Sequence, residues 1–218
     1  MTTGEKTVAF VIGAHAFEVQ PTLDMLASLE GTTVYPQDLA SFVRDVEAER
    51  ADYDAVVFYN FHGNGNEVHL TDELSESATQ ALMDLGRDGV GILVLHHGLV
   101  AFPESEEWEA LRGVEGTNFE GAYHDERIQV EIADDTHPIT AGLDTFELLD
   151  ETYTMEEPDA ESRILLRTDH EPSMDALAWT RTYRNSRVFC YQSGHGREAF
   201  EHPQFRTILA RGIDWVAS

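Results

Sequence analysis

The chain has 218 residues, of which 41 are aspartate or glutamate and 14 are lysine or arginine, so its formal net charge is −27. Such a negative field repels phosphates and anionic lipid surfaces, which argues against nucleic acid and membranes as partners, and no apolar stretch of about 18 residues is present to cross a bilayer. The single cysteine, Cys190, excludes an internal disulfide and a metal cage built from several cysteines.

The acidic composition predicts adaptation to high salt rather than disorder. Hydrophobic residues make up 42% of the chain and include 11 Phe, 7 Tyr and 3 Trp, which is enough to form a core. Lys6 is the only lysine. Since concentrated salt screens the repulsion between carboxylates, we expect the melting temperature to rise across a series of NaCl concentrations. Undiminished stability in dilute buffer would contradict this expectation.

The first half of the chain alternates short apolar strands with amphipathic helices. Its strands lack the alternation of polar and apolar residues that marks a half-exposed sheet, so they are typical of a parallel sheet covered by helices on both faces. Asp38 suits a helix N-cap, and Gly31 and Gly86 suit helix ends. The predicted strands are 8–13, 32–35, 54–61 and 91–95, and the predicted helices are 21–29, 38–50 and 74–85.

The second half is richer in strands and closes with one long helix. Pro203 suits the first turn of that helix, where a missing N–H costs no hydrogen bond. No linker, repeat or low-complexity stretch divides the chain, so we expect a single domain over residues 1–218. The predicted strands are 127–133, 146–149, 164–167, 176–182 and 188–192, followed by a helix over 203–216.

Histidines follow four strands of the predicted parallel sheet at the point where each strand ends. In open α/β sheets ligands bind outside the carboxyl ends of the strands, so these histidines predict a functional pocket at that edge. They are His15, His62, the pair His96 and His97, and His195. The other five are predicted outside the pocket: His69 and His124 at the surface, His137 in a turn before Pro138, and His170 and His202 in loops.

An acidic segment, LLDETYTM, places Asp150, Glu151 and Tyr153 directly after a predicted strand. Alternation along an extended chain puts Glu151 and Tyr153 on one side and Asp150 on the other. By the same alternation we expect only one of His96 and His97 to face the pocket. Together these imidazoles and carboxylates predict acid–base chemistry near neutral pH.

The same side chains are candidates for binding a divalent metal such as zinc, since neutral imidazoles and carboxylates are among its usual ligands. No H-E-x-x-H or other tightly spaced metal motif occurs, so a metal site depends on side chains that the fold brings together. The candidate ligands are His15, His97, Glu151 and His195.

Other kinds of site find little support in the sequence. Cys190 lies within a predicted strand, where a lone cysteine is usually a core residue. Ser193 precedes Gly194, but no G-x-S-x-G or G-x-C-x-G elbow is present. No G-x-G-x-x-G or Walker motif occurs, so nucleotide binding is not expected.

Four segments carry a resemblance to a known family: FVIGAHAFE, LVLHHGLVAF, the stretch from VEIADDTHPIT to LLDETYTM, and RVFCYQSGH. Most of the chain, in the same order, resembles the ThuA-like (trehalose utilisation) family, whose fold is similar to that of class I glutamine amidotransferases. The resemblance implies a flavodoxin-like α/β fold, with a mostly parallel sheet, helices on both faces and additional strands in the C-terminal half. It also implies a site that contains His15, His96, His97, Glu151, Tyr153 and His195.

The resemblance sharpens the interpretation of the two adjacent histidines. In the amidotransferases the corresponding strand leads into an elbow that carries a nucleophilic cysteine, whereas here the junction reads Leu95-His96-His97-Gly98. Glutamine hydrolysis through a thiolate is therefore not expected. Cys190 stands where the family commonly has an aromatic residue, which favours its place in the core.

Members of the family are associated with the metabolism of disaccharides and their oxidised (keto) derivatives. The resemblance thus implies an enzyme that acts on a sugar or keto-sugar as a hydrolase, lyase or isomerase. His96 or His97 and His195 would serve as acid and base, and Glu151 as a base or metal ligand. The substrate-binding residues would be Tyr153, His15 and His62.

Two other functions stay open at this point. One is a non-catalytic sugar-binding or regulatory module that keeps the amidotransferase-like scaffold without its chemistry. The other is a metal-dependent hydrolase of an unrelated substrate. The start of the chain lacks the basic region of a secretory signal, so a cytoplasmic protein is expected. The sequence leaves the oligomeric state open, a homo-oligomer included.

Overall fold

The computed structural model describes residues 5–49, 53–63, 70–115 and 121–218. The first half alternates strands and helices, as the apolar pattern predicts. In chain order these elements are β1 (Lys6–Ile12), α1 (Val19–Ala27), β2 (Thr32–Asp38), α2 (Leu39–Glu49), β3 (Ala55–Phe58), α3 (Asp72–Asp88), β4 (Gly91–Leu95), a 3-10 helix (His96–Val100) and α4 (Glu106–Arg112).

The second half contributes five strands and then two C-terminal helices. His69, which the sequence predicts at the surface, lies outside the residues that the structure describes. The elements are β5 (Gly121–Ile132), β6 (Phe146–Thr154), β7 (Arg163–Arg167), β8 (Ala176–Tyr183), β9 (Ser186–Tyr191), α5 (Arg197–Glu201) and α6 (Pro203–Val216).

The nine strands of the described residues form one sheet in the order β2-β1-β3-β4-β9-β8-β7-β5-β6. The first five strands of this order pair in parallel, and the remaining pairs are antiparallel. β9, although it comes late in the chain, therefore lies beside β4 among the parallel strands. This is the flavodoxin-like, amidotransferase-like architecture that the sequence predicts, with the additional strands on one side.

Each face of the parallel strands has its own hydrophobic core, because successive residues of a strand point to opposite faces. In β4, Leu93 and Leu95 pack on one side of the sheet, and Ile92 and Val94 pack on the other. Residues of α1 and α6 cover the first side, and residues of α2, α3 and α4 cover the second. The prediction of helices on both faces is confirmed.

Two helix ends test the capping signals. Asp38 caps α2 as predicted, since its carboxylate accepts a hydrogen bond from the Ser41 N–H at 2.9 Å. The prediction that the next helix ends at Gly86 is wrong, because α3 continues to Asp88 and is capped by Gly89, whose φ of +78° is left-handed. Gly86 serves packing instead: a Cβ at this position would overlap the ring of Tyr183.

Strand β6 is longer than predicted, and this changes the setting of the acidic segment. The predicted strand ended at Leu149, whereas β6 continues to Thr154, so the sequence DETYT is part of the strand. It continues because β5 pairs with this part of β6 as well, across a register shift between Tyr123 and Glu126. Such irregularities bend and twist a strand pair.

The 3-10 helix, α4 and α5 have no counterpart among the predicted elements. They contain 5, 7 and 5 residues, too few turns for a hydrophobic repeat to show in the sequence. Within the described ranges, no helix combines the length and the apolar character needed to span a membrane.

Candidate functional site

The carboxyl ends of β1, β3, β4 and β9 lie side by side in the sheet, as the histidine pattern predicts. The imidazoles that follow three of these strands are in contact. Ring centroids are 4.1 Å apart for His15 and His97, 4.4 Å for His96 and His97, and 5.3 Å for His96 and His195. The fold thus brings together the residues predicted after β1, β4 and β9.

The turn that follows β4 directs both of its histidines into this group. The extended chain ends at Leu95, and His96 has a left-handed φ of +44°, which starts the 3-10 helix. The prediction that only one of His96 and His97 faces the site is therefore wrong, because it assumed a continuing strand. A strained turn between a strand and a helix is also the backbone form of a nucleophile elbow.

Gly98 allows this turn to lie close against β3. A Cβ at position 98 would overlap the carbonyl oxygen of Phe58, so only glycine fits without movement of the backbone. The Gly98 carbonyl in turn accepts a hydrogen bond from the Trp108 indole N–H at 3.0 Å. The position of the two histidines is thus fixed by the contact of Gly98 with β3 and by the hydrogen bond from α4.

His96 is fully buried, and its orientation is set by a backbone carbonyl. Its Nδ1 lies 2.6 Å from the carbonyl oxygen of Gln192, which can only accept, so Nδ1 carries a proton. Its Nε2 lies 2.9 Å from Oε2 of Glu151 and 2.8 Å from the Tyr153 hydroxyl. In the neutral ring Nε2 is therefore a lone-pair acceptor directed at the centre of the site.

Glu151 is the carboxylate on which the site converges. Its Oε2 lies 2.6 Å from Nδ1 of His195 and 2.9 Å from Nε2 of His96, while its Oε1 lies 3.3 Å from Nδ1 of His124. Burial opposes ionisation, but the hydrogen bond from Nδ1–H of His195 and the positive charge of that imidazole favour it, and the pKa of Glu151 lies well below its usual value. The side chain is thus a buried carboxylate at neutral pH.

Asp150 lies on the other side of β6 and holds the chain that carries His195. Its two carboxylate oxygens accept backbone N–H groups from Gly194 at 2.7 Å, His195 at 2.9 Å and Glu151 at 3.0 Å. Burial raises the pKa of Asp150, against the opposing effect of these donors. The predicted alternation is confirmed: Glu151 and Tyr153 meet the imidazoles, and Asp150 meets the backbone behind them.

Tyr153 joins the two adjacent histidines through its hydroxyl group. The oxygen lies 2.8 Å from Nε2 of His96 and 3.1 Å from Nδ1 of His97. Burial raises the pKa of Tyr153 and lowers the pKa of His97, so the phenol and this imidazole are both neutral at pH 7. Nε2 of His97 is buried and has no hydrogen-bond partner among the described residues.

Three imidazoles form the exposed side of the group. The side chain of His195 is 32% exposed, and its carbonyl accepts a hydrogen bond from the buried Tyr59 hydroxyl at 3.0 Å. The hydrogen bond to Glu151 raises the pKa of His195, whereas burial lowers the pKa of His15. The third imidazole, His124, is exposed as predicted, yet it contacts Glu151.

A surface depression of about 230 Å³ opens beside His195 and Glu151, whereas His15, His96, His97 and His124 are not among its lining residues. This volume includes space that is open to solvent, so the depression is shallow and suits contact with part of a small polar ligand. Acidic side chains and His195 dominate its wall. The lining residues are Asp125, Leu149, Asp150, Glu151, His195, Gly196 and Glu198.

His62 is not brought into the imidazole group. Its ring stacks on Phe102 with centroids 6.3 Å apart, and its Nδ1 lies 3.1 Å from Nδ2 of Asn60. The Phe102 N–H also donates to the His62 carbonyl at 2.8 Å, so the chain beyond β3 turns toward the segment after the 3-10 helix. The substrate-binding role predicted for His62 therefore finds no contact with the other site residues in the described part of the chain.

Cys190 is a core residue, as predicted. It is fully buried in β9, and burial raises the pKa of its thiol to about 12. Its Sγ lies 3.9 Å from the carbonyl oxygen of Arg112, on the side of the sheet that faces α4. A thiol in this environment is a poor nucleophile at neutral pH.

Four of the clustered side chains could share a metal ion. One ligand atom each from His96, His97, Glu151 and His195 lies within 4.8 Å of each of the others. This set differs from the predicted candidates because His96 takes the place of His15. His15 instead packs against the ring of His97 in a tilted contact, with an angle of 38° between the two planes.

Sequence reasoning did not select His124 or assign a role to Asp150. His124 reaches Glu151 because β5 pairs with β6 next to it, and no strand signal extended that far in the sequence. Asp150 stood beside Glu151 in an acidic pair, which was a usable signal. Its function as an acceptor of three N–H groups depends on the loop after β9, which the sequence alone does not place.

The model of the trehalose utilisation family, ThuA, matches residues 14–216. The chain belongs to this family. Membership supports a protein related to carbohydrate utilisation, and the matched range includes every residue of the site described above. None of the curated proteins matches this ThuA-family chain.

Solved structures share the fold of this ThuA-family protein at low sequence identity. A ThuA-like protein from Parabacteroides merdae is similar with a TM-score of 0.75 and 19% identity, over 98% of this chain and 90% of the other. A ThuA-like protein from Bacteroides uniformis is similar with a TM-score of 0.74 and 15% identity, over 99% of this chain and 93% of the other. A cytoplasmic protein from Salmonella typhimurium is similar with a TM-score of 0.67 and 14% identity, over 96% of this chain and 98% of the other.

Proposed function

We propose that this protein is an enzyme that acts on a sugar or keto-sugar derivative, with hydrolase, lyase or isomerase chemistry, at the cluster around Glu151. One observation carries the proposal. Oε2 of Glu151 lies within 2.9 Å of ring nitrogens of both His195 and His96, beside a depression that is open to solvent. A buried carboxylate that orients a partly exposed imidazole is a common arrangement for proton transfer.

The exposed imidazoles are the groups that can reach a ligand. His15 and His195 are neighbours, with ring centroids 5.9 Å apart, and both are accessible from solvent. Removal of a proton from a sugar hydroxyl or from a carbon beside a carbonyl, and protonation of an oxygen, are reactions that imidazoles perform near neutral pH. Each of the three reaction classes needs one or both of these transfers.

The buried side chains keep the exposed ones in place. Glu151 fixes the ring of His195, and Tyr153 bridges His96 and His97 through one hydroxyl group. The proposal gives no role to His62, whose described contacts are with Asn60 and Phe102. A cytoplasmic location, adaptation to high salt and a small sugar as the ligand complete the proposal.

Glutaminase activity is not part of the proposed function. The resemblance to the amidotransferases implies that the nucleophile position corresponds to the turn at His96, and the one cysteine lies in the core of the sheet. A thiolate mechanism requires an accessible thiol whose pKa is lowered by its surroundings. Burial has the opposite effect on Cys190.

A substrate panel tests the proposal. We expect the wild-type protein, assayed at high salt with and without added Zn²⁺, to turn over at least one compound among disaccharides and their 3-keto derivatives. His195→Gln should lower kcat/KM by about 10²–10⁴-fold, the usual contribution of a positioned acid or base. His170→Gln is the control, since His170 pairs with Glu126 at 3.1 Å and is not one of the convergent side chains.

The outcome of the panel separates an enzyme from a binding module. Calorimetric binding of a sugar by the wild-type protein, without turnover of any compound in either condition, would favour a non-catalytic sugar-binding module. Equal activity of the His195→Gln and His170→Gln variants would remove His195 from the catalytic machinery.

A further inference from the structure

We propose that His96, His97, Glu151 and His195 bind one divalent transition-metal ion of the Zn²⁺ class. The inference concerns the same cluster as the proposed function and rests on its geometry. One ligand atom from each of the four side chains lies within 4.8 Å of every other. The donors of a tetrahedral ion at about 2.0–2.2 Å lie about 3.3–3.6 Å apart, so the most widely separated of these atoms must approach each other by roughly an ångström, which side-chain rotation can supply.

The hydrogen bonds of His96 prepare its ring for coordination. Nδ1 donates to the Gln192 carbonyl at 2.6 Å, which leaves Nε2 as the lone-pair nitrogen. Metal-bound histidines almost always donate their other N–H to a carbonyl or carboxylate in this way, since the bond fixes both the tautomer and the ring orientation. Nε2 of His96 also lies 3.2 Å from Nδ1 of His195, a spacing suited to two ligands of one ion.

The contacts of His97 give a second, independent indication that a cation binds at this cluster. Its Nε2 is buried without a hydrogen-bond partner in the described part of the chain, while its Nδ1 faces the Tyr153 hydroxyl. A buried nitrogen lone pair without a donor is unfavourable and rare in native proteins. A cation bound through Nε2 would satisfy this nitrogen while Nδ1 keeps its contact with the Tyr153 hydroxyl.

The donor set determines which cations fit. Three imidazoles and one carboxylate suit Zn²⁺ and neighbouring transition metals, whereas Mg²⁺ and Ca²⁺ prefer sites made of oxygen atoms. The charge of the ion would also offset the buried carboxylates of Glu151 and Asp150. A bound ion of this class supplies a Lewis acid that polarises a sugar hydroxyl or carbonyl.

His15 lies outside the proposed coordination set, although the sequence made it a candidate ligand. Its ring packs on the ring of His97 at 4.1 Å, and it reaches this position through a left-handed residue, Ala14, with φ of +60°. His15 is not among the four side chains whose ligand atoms lie within 4.8 Å of one another. His15 therefore remains available for proton transfer beside the ion.

Calorimetric titration of the chelator-treated protein with Zn²⁺ tests the site. The protein carries no histidine tag, and the buffer contains high salt and excess Mg²⁺, which occupies the surface carboxylates of this acidic chain. We expect one ion per chain and a rise in melting temperature on binding. Glu151→Gln and His97→Gln should each lower the affinity for Zn²⁺ by about 100-fold or more. Loss of a residue that only hydrogen-bonds to a metal ligand already lowers metal affinity by about 10–100-fold.

His170→Gln and Glu126→Gln are the matched controls, because they alter a histidine–carboxylate pair outside the cluster. Circular dichroism verifies that each variant is folded, and Co²⁺ absorption reports the coordination independently of heat. Absence of Zn²⁺ binding to the folded wild type, or equal affinities for cluster and control variants, would overturn the metal site. Stoichiometric binding without sugar turnover would support the site while contradicting the proposed function.

Discussion

Replacing Glu151 with glutamine should reduce kcat/KM for the sugar substrate by about 10²–10⁴-fold, the range expected when a positioned acid–base group is lost. The change removes one negative charge and keeps the shape of the side chain. In the wild type, Oε2 of Glu151 lies 2.6 Å from Nδ1 of His195 and 2.9 Å from Nε2 of His96. A glutamine can place its NH₂ group, a donor, at the position of this oxygen. The amide therefore disturbs the orientation of both rings at once.

The measurement is steady-state turnover of the best compound in the substrate panel, with circular dichroism to verify folding. Glu126→Gln is the matched control, because the Glu126 side chain pairs with His170 at 3.1 Å and is not one of the four convergent side chains, although it lies opposite Asp150 in the β5–β6 pair. We expect its kcat/KM to stay close to that of the wild type. If Glu151→Gln also retained wild-type turnover, the carboxylate would have no part in the chemistry and the proposed function would lose its central residue.

The parallel part of the fold and half of the site could be predicted from the sequence. Strands without polar alternation are buried on both faces, which requires a parallel sheet, and a parallel sheet aligns the carboxyl ends of its strands. His15, His96 and His195 follow such ends, so their meeting follows from local patterns alone. His62 follows one too, but its ring stacks on Phe102 and its carbonyl accepts the Phe102 N–H, so it is held against the segment after the 3-10 helix.

The arrival of Glu151 at these imidazoles could not be predicted in the same way. β6 lies at the end of the sheet order, five positions from β4, and yet Glu151 contacts His96 at 2.9 Å. The β5–β6 pair must therefore bend back toward the carboxyl ends of the parallel strands, and its register shift near Tyr123 is where such a bend can occur. Hydrophobic periodicity carries no signal for this curvature.

The left-handed turn at His96 is a second feature that local patterns do not encode. Non-glycine residues rarely adopt positive φ, so an extended continuation was the better expectation for a histidine after an apolar strand. The conformation holds because Gly98 lies against the Phe58 carbonyl and Gln192 accepts the Nδ1 proton. Both contacts join elements that are far apart in the sequence, and strain of this kind is typical of functional sites.

Replacing Asp150 with alanine should cause the largest loss of stability of any change near the site. The carboxylate accepts three backbone N–H groups, from Gly194, His195 and Glu151. Alanine relieves the burial of a charge, but it leaves these donors without acceptors. Because each buried group left unsatisfied costs about 1–3 kcal/mol, we expect the free energy of unfolding to fall by roughly 3–5 kcal/mol.

Asp150→Asn separates the charge from the hydrogen bonds. Its amide oxygen can keep the acceptor position shared by His195 and Glu151, while its amide nitrogen faces the Gly194 N–H. The loss should therefore be smaller, roughly 1–3 kcal/mol for one unsatisfied donor. Denaturant unfolding at fixed high salt gives the values. The control is Glu147→Ala in the same strand, where an exposed pair with Arg127 at 2.8 Å should contribute less than about 1 kcal/mol.

The order of stabilities tests what holds His195 in place. If the acceptor positions decide, the free energy of unfolding should be highest for the wild type, lower for Asp150→Asn and lowest for Asp150→Ala. The number of N–H groups without an acceptor rises from none to one to three in the same order. If Asp150→Ala were as stable as the wild type, relief of the buried charge would outweigh the hydrogen bonds, and the loop after β9 would be held by other contacts. In that case the Tyr59 hydroxyl on the His195 carbonyl would be the leading contact left to position this imidazole.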